Sequence, residues 1–157
     1  MENFKNILVA IDFSTYSVQA VEDAKTIARK FKSTIYLAHI IDAVPELAAE
    51  EPGRSYESVS HHARNIAMIS LENYAAQYFN LKDNVKLVVR EGSAEEELLM
   101  LVQDQKIDLI VMATHARTGL AHLIAGSVTE KVIQKSPVPV LVVKSSQEPL
   151  AATYQEY

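Results

Sequence analysis

Apolar residues along the chain fall into two alternating patterns. Ile7-Leu8-Val9-Ala10-Ile11 is an unbroken apolar run closed by Asp12, as expected of a strand covered on both faces in a parallel sheet. The next segment places Ala20, Ala24, Ile27, Ala28 and Phe31 at helical spacing, with Lys25, Arg29 and Lys30 on the other side. Thr34 to Ile41 reads as a second strand. The polar stretch from Asp42 to Tyr56, with Pro45, Pro52 and Gly53, reads as the longest loop. A helix is predicted from Glu57 to Phe79, with Val59, Ile66, Ile69 and Ala76 as its apolar stripe.

Val85 to Val89 is a third strand, and Lys86 within it suggests an exposed face, as at a sheet edge. Ser93 with Glu96 forms a capping-box signature ahead of Leu98, Leu99, Leu101 and Val102. Leu109 to Met112 is a fourth strand. Ser127 with Glu130 repeats the capping signature and opens a helix containing Val128, Val132 and Ile133. Pro137 to Val143 is a fifth strand, its prolines suited to strand entry. Residues 1–144 read as one domain. The 145–157 segment has no periodicity and reads as a mobile tail. Strands alternating with helices, joined by right-handed crossovers, make an open doubly wound parallel α/β sheet with helices on both faces.

A chain of 157 residues suits one domain with a single sizeable core. The net charge of −5 argues against a broad nucleic-acid surface, which needs a basic excess. Cysteine is absent, which removes disulfide and thiolate chemistry. The N-terminus lacks the shape of a signal peptide and no segment is long enough to span a membrane, so the expectation is a cytoplasmic protein with no membrane partner.

The chemistry concentrates in Met112 to Ser127, where an apolar strand, a small-residue loop and a helix start follow one another. Backbone N–H groups and the positive end of a helix dipole suit phosphate in that arrangement. In doubly wound sheets ligands bind beyond the carboxyl ends of the strands, at the point where strand order reverses. Asp12 ends the first strand, so it faces this loop if the first and fourth strands are neighbours. It is either a turn residue beside Ser14 or an acceptor for ribose hydroxyls. Ser127 either caps its helix through Glu130 or meets a phosphate. Gly126 supplies clearance or a special conformation, and Arg117 is either a phosphate contact or a solvated charge. His115 and His122 lack a carboxylate partner at recognisable spacing, His61 and His62 point apart on a helix, and His39 reads as a hydrogen-bonded core residue. No catalytic or metal-ligating set emerges.

The chain resembles the universal stress protein family from Asn6 to Lys144. Three blocks carry the resemblance: Ile7 to Ser14, Ala38 to Asp42, and Val111 to Val143 with its Gly-Ser-Val-Thr-Glu-Lys-Val run at 126–132. It implies a Rossmann-like, adenine nucleotide alpha hydrolase-like sheet in strand order 3-2-1-4-5. It also implies a homodimer through the last strand, here the Val138, Val140 and Val142 region. Many members bind ATP through Gly-x2-Gly-x9-Gly-Ser/Thr, which falls here on Ala113, Ala116, Gly126 and Ser127. Asp12 matches the ribose-binding acid, Ile40 a residue whose backbone meets adenine, and Val128 a phosphate-facing amide. Ala10, Met112, Arg117 and Thr129 complete the implied site.

Two of the three glycines are thus alanine. Alanine costs little where φ is negative, and on the order of 1 kcal/mol or more where φ must be positive. Three functions compete. The first is a stress-response regulator binding ATP, with or without Mg, or a related adenine nucleotide, and hydrolysing it slowly at most. The second is a dimeric adaptor whose alanine-substituted loop is closed to nucleotide and whose segments from Asp42 to Tyr56 and after Ser145 bind unidentified partner proteins. The third, an enzyme acting on a small molecule, lacks a catalytic constellation.

Overall fold

The computed structural model describes residues 4–43, 53, 55–114 and 127–144. The strands are β1 (Asn6–Ala10), β2 (Thr34–Ile41), β3 (Val85–Glu91), β4 (Leu109–Thr114) and β5 (Val140–Lys144). The helices are α1 (Thr15–Phe31), α2 (Tyr56–Tyr78), α3 (Ala94–Asp104) and α4 (Ser127–Lys135). All four strand pairings are parallel and the order is β3-β2-β1-β4-β5. This is the doubly wound sheet that the alternation predicts, in the order the resemblance implies. Strand order reverses between β1 and β4, where Ala10 pairs with Met112. The 145–157 tail lies outside the described residues.

Each central strand feeds two cores. Ile7, Val9, Leu37 and Val111 point to the side covered by α1 and α2, where they meet Ala20, Val21, Ala24 and Leu71. Leu8, Ala38, Ile110 and Met112 point to the other side, where Leu98, Leu101 and Val132 of α3 and α4 cover them. That double coverage explains the unbroken apolar runs. β3 and β5 form the edges, as Lys86 suggested for β3.

Several local expectations need correction. The Val59, Ile66, Ile69 and Ala76 stripe of α2 does not face the core. Ser60, Ala67, Leu71 and Tyr74 are its buried residues, while Ile66 and Ile69 are 52% and 58% exposed. Two small residues let α2 lie close to the sheet, so the buried face is less apolar in composition than the outward one. Lys25 is not on a solvated face. Its stem is buried, and its Nζ reaches Glu22 at 2.9 Å beside the Phe79 ring. Ser93 sits at the N-cap of α3 without a side-chain cap bond, so that capping box is not closed. Glu95, Glu96 and Glu97 in the first turn still favour the positive end of the helix dipole. α2 starts one residue earlier than expected because the Ser55 side chain accepts from the Ser58 amide. β5 begins at Val140 rather than Pro137, since prolines donate nothing to the ladder. The capping role expected of the Ser127 side chain lies outside the described residues.

Glu95 ties the two helices of one face together. Its Oε2 accepts from Lys131 at 2.7 Å and its Oε1 from Lys135 at 2.8 Å. The hydrogen bonds from Lys131 and Lys135 hold its carboxyl below the ordinary value of 4.5, against the effect of desolvation, and Glu95 in turn raises Lys135. A depressed folded-state value means that the folded chain binds fewer protons. The bridge therefore stabilises above the ordinary glutamate range and is lost as pH falls through the folded value.

Thermal unfolding of wild type against Glu95→Gln is expected to show a gap that is largest above pH 4.5 and closes on acidification; a gap independent of pH would contradict this account. Leu71, fully buried under α2, is expected to cost about 2–5 kcal/mol in chemical denaturation when changed to alanine. A loss of well under ~1 kcal/mol would place Leu71 outside the core.

Candidate functional site

The carboxyl ends of β1, β2 and β4 open onto a cavity of about 170 Å³ at the point where strand order reverses. Ala10, Ala38, Ile40, Leu98 and Met112 give it an apolar wall on the α3–α4 side of the sheet, and Thr129 of α4 closes one flank. Small residues at the ends of β1 and β2 leave this space, because a larger side chain at Ala10 or Ala38 would fill it. Asp12 and Ser17 bring polar groups to its rim.

Asp12 does what a turn residue does. Its Oδ1 accepts from the Ser14 amide at 3.0 Å and from the Ser17 hydroxyl at 2.7 Å. The Asp12 amide in turn donates to Ser17 Oγ at 3.3 Å. These bonds fix the start of α1, where the Ser14 hydroxyl caps no helix amide and instead meets Ser17 Oγ at 3.5 Å. The turn reading of Asp12 therefore holds, and the same geometry keeps its carboxylate at the cavity rim.

Between Asp12 and Ser14, Phe13 adopts φ 63°, in the left-handed region. Its ring lies tilted against His39 at 4.4 Å between centroids and meets Tyr74 edge-on at 5.7 Å. His39 Nδ1 donates to the Ile11 carbonyl at 3.0 Å, which fixes the proton on Nδ1 because a carbonyl only accepts. His39 is thus hydrogen-bonded as expected, though at the site's edge rather than deep in the core. Burial pushes the Tyr74 phenol up, with Tyr78, Asp12 and Glu22 adding to the effect. Among the described residues its hydroxyl has no hydrogen-bond partner.

The structure brings Ala10, Asp12, Ile40, Met112, Ala113 and Thr129 to one cavity. Val128 does not line it; its side chain packs against the α3–α4 core. Ala116, Arg117 and Gly126 lie outside the described residues, as do His115 and His122. Ser127 is the first residue of α4. Ala113 sits in the β4 ladder opposite Val143, on extended backbone that any residue adopts. Strand alternation sends its methyl to the α1 side, where it packs against that core. A glycine is not required there. Sequence reasoning missed Ile11, Ser17, Ala38, Ala94 and Leu98 as lining residues. A serine five residues beyond an acid at a strand end was the available signal for Ser17.

Among the described residues no three His, Asp or Glu side chains converge as a metal site, and no helix is long and apolar enough to cross a membrane.

The sequence profile described as "Universal stress protein family" matches residues 3–144. Universal stress protein MJ0531 of Methanocaldococcus jannaschii is 31% identical over 147 residues, covering 92% of this chain and 85% of its own. The solved structure of hypothetical protein MJ0577 superposes with a TM-score of 0.75 at 29% identity, covering 94% of this chain and all of that one. At the level of fold, a universal stress protein in complex with cAMP matches with a TM-score of 0.64 at 21% identity, covering 91% of this chain and 98% of its own. The universal stress protein from Archaeoglobus fulgidus in complex with dAMP gives 0.62 at 18% identity, covering 91% and 100%. With nearly the whole chain matched by the family profile and by a relative above 30% identity, this protein belongs to the universal stress protein family.

Proposed function

We propose that this chain is a stress-response regulator that binds ATP, or a related adenine nucleotide, where β1 and β4 meet. One observation carries the reading: the cavity at the reversal of strand order is apolar on its walls, with a carboxylate on its rim. That combination suits a flat, apolar base with a hydroxyl-bearing sugar. Asp12 would accept from the ribose hydroxyls, and the backbone at Ile40 would meet the adenine. The amides of Ser127, Val128 and Thr129 at the start of α4 would face the phosphates, where the helix dipole is favourable. Ala10 and Met112 would pack against the base. Ala113 fits this reading because its methyl points away from the α3–α4 side. The loop residues Ala116, Arg117 and Gly126 would complete the phosphate end, with Mg accompanying the phosphates where it is bound. The fold neighbours solved with cAMP and dAMP support an adenine nucleotide as the ligand class.

The same reading makes the chain a homodimer through the edge of β5, in the Val138, Val140 and Val142 region. Pro139 O accepts from the Ile110 amide, so by strand alternation the amide of Leu141 points to β4 and that of Val142 to the open edge. A strand edge with free donors and apolar side chains is a template for pairing.

Calorimetric titration of nucleotide-free protein with ATP is expected to give heat that Ala94→Trp, which fills the cavity from the first turn of α3, abolishes. Asp12→Asn is expected to weaken binding roughly 10-fold or more by losing a charge-assisted acceptor. No heat at millimolar ATP would sink the nucleotide reading and leave the adaptor. Val142→Pro removes only an outward-facing amide, so it is expected to break β5 pairing while the fold survives. An unchanged mass by light scattering would count against the edge-paired dimer.

A further inference from the structure

The outward face of α2 carries a pattern that the fold itself does not use. Val59, Ile66 and Asn73 repeat every seven residues, and His62, Ile69 and Ala76 follow each of them by three. This is the a/d spacing of a coiled-coil seam. Yet the helix turns its other face to the sheet, through Ser60, Ala67, Leu71 and Tyr74. Ile66 and Ile69, at the middle of the helix, are more than half exposed. Isolated exposed apolar residues need no explanation, but a stripe at seam spacing does.

We propose that this face pairs with the same face of a second copy of the chain, helix against helix and antiparallel. The sequence is self-complementary about a two-fold axis between residues 67 and 68, close to the middle of Tyr56–Tyr78. In that register Ile66 of one copy meets Ile69 of the other, Val59 meets Ala76, and His62 meets Asn73. Each apolar position then faces an apolar one and each polar position a polar one. The seam carries no Lys, Arg, Asp or Glu. Glu72, on its flank, falls beside His61 and Asn65 of the other copy, which already hydrogen-bond to each other at 3.2 Å within one chain. No like charges meet. The antiparallel setting also opposes the two helix dipoles.

The contact has room to grow beyond the seam. Residues 59–76 span about 27 Å of helix. Ser70, Asn73 and Gln77 border a depression of about 410 Å³ between α1 and α2, whose other wall includes Phe13, Thr15 and Val18. A helix laid along the seam reaches this depression. α2 packs on β2 and β3, whereas β5 is the opposite edge of the sheet. The seam is therefore separate from the edge that the proposed dimer would use. Two such two-fold contacts on one chain build an assembly larger than a dimer.

The test uses the full chain and its natural lack of cysteine. Sedimentation at graded concentration is expected to show Ile69→Glu at half the mass of wild type or less, and Val142→Pro combined with Ile69→Glu at the mass of one chain. An Ile69→Glu mass equal to wild type overturns the proposal, whatever Val142→Pro does. Because Ile69 is exposed, its charge variant keeps the wild-type unfolding midpoint in dilute solution. Mixing Ile66→Cys chains with Ile69→Cys chains under mild oxidation is expected to give the 66–69 disulfide at least tenfold faster than mixing Ile66→Cys with Lys82→Cys. Equal rates, or crosslinking of Ile66→Cys chains only to each other, overturn the antiparallel pairing.

Discussion

The pairing of β1 with β4 is the constraint on which the rest depends, and Asp108 sets its register. The Asp108 carboxylate accepts from the amides of Lys5 and Asn6 at 2.8 and 2.9 Å, while its own amide donates to the Asn6 carbonyl at 2.8 Å. The Asn6 side chain adds bonds to the carbonyls of Gln105 and Lys106. Two strands about a hundred residues apart are thereby fastened at their starts. Side-chain direction alternates along a strand, so a slip of one residue would turn Leu8 and Ile110 from one core into the other. At the far end the same register puts Ala10 beside Met112, and the cavity exists because the chain crosses over between these two strands.

Much of this was legible because two-sided burial leaves a strong mark. Strands covered on both faces have no polar face, so β1 and β4 carry unbroken apolar runs and β2 is interrupted only at His39. The strand order was not legible from pattern, since parallel strands are joined by long crossovers that carry no register information. It came from the resemblance. The stripe on α2 misled for an instructive reason. Periodicity reveals that a helix has an apolar face, not which of two faces meets the sheet. Ser60 and Ala67 are buried there because close approach needs small side chains, while the larger isoleucines sit outside.

The site was legible in its strand-borne half. Asp12, Ala10, Ile40, Met112 and Ala113 end strands whose positions the runs define, and they converge as a consequence of the sheet. Ala38, Ala94 and Leu98 were missed because nothing in their spacing separates a lining residue from a core residue; only the packing of α3 over the strand ends does. The glycine question divides in the same way. At Ala113 the ladder with Val143 imposes extended backbone and answers it. Ala116 belongs to the loop and lies outside the described residues.

Phe13 links the cavity to the helix layer. A non-glycine residue at positive φ costs about 1 kcal/mol or more, and such a conformation persists only where its surroundings over-determine it. Here they do. Asp12 and Ser17 fix the backbone on one side by three hydrogen bonds, and His39 and Tyr74 hold the ring on the other. The His39 ring is itself pinned to the Ile11 carbonyl. The rim carboxylate, the residue that follows β1 and the C-terminal part of α2 therefore share one bracket of contacts. Tyr74 lies on the buried face of the same helix whose outward face carries the seam.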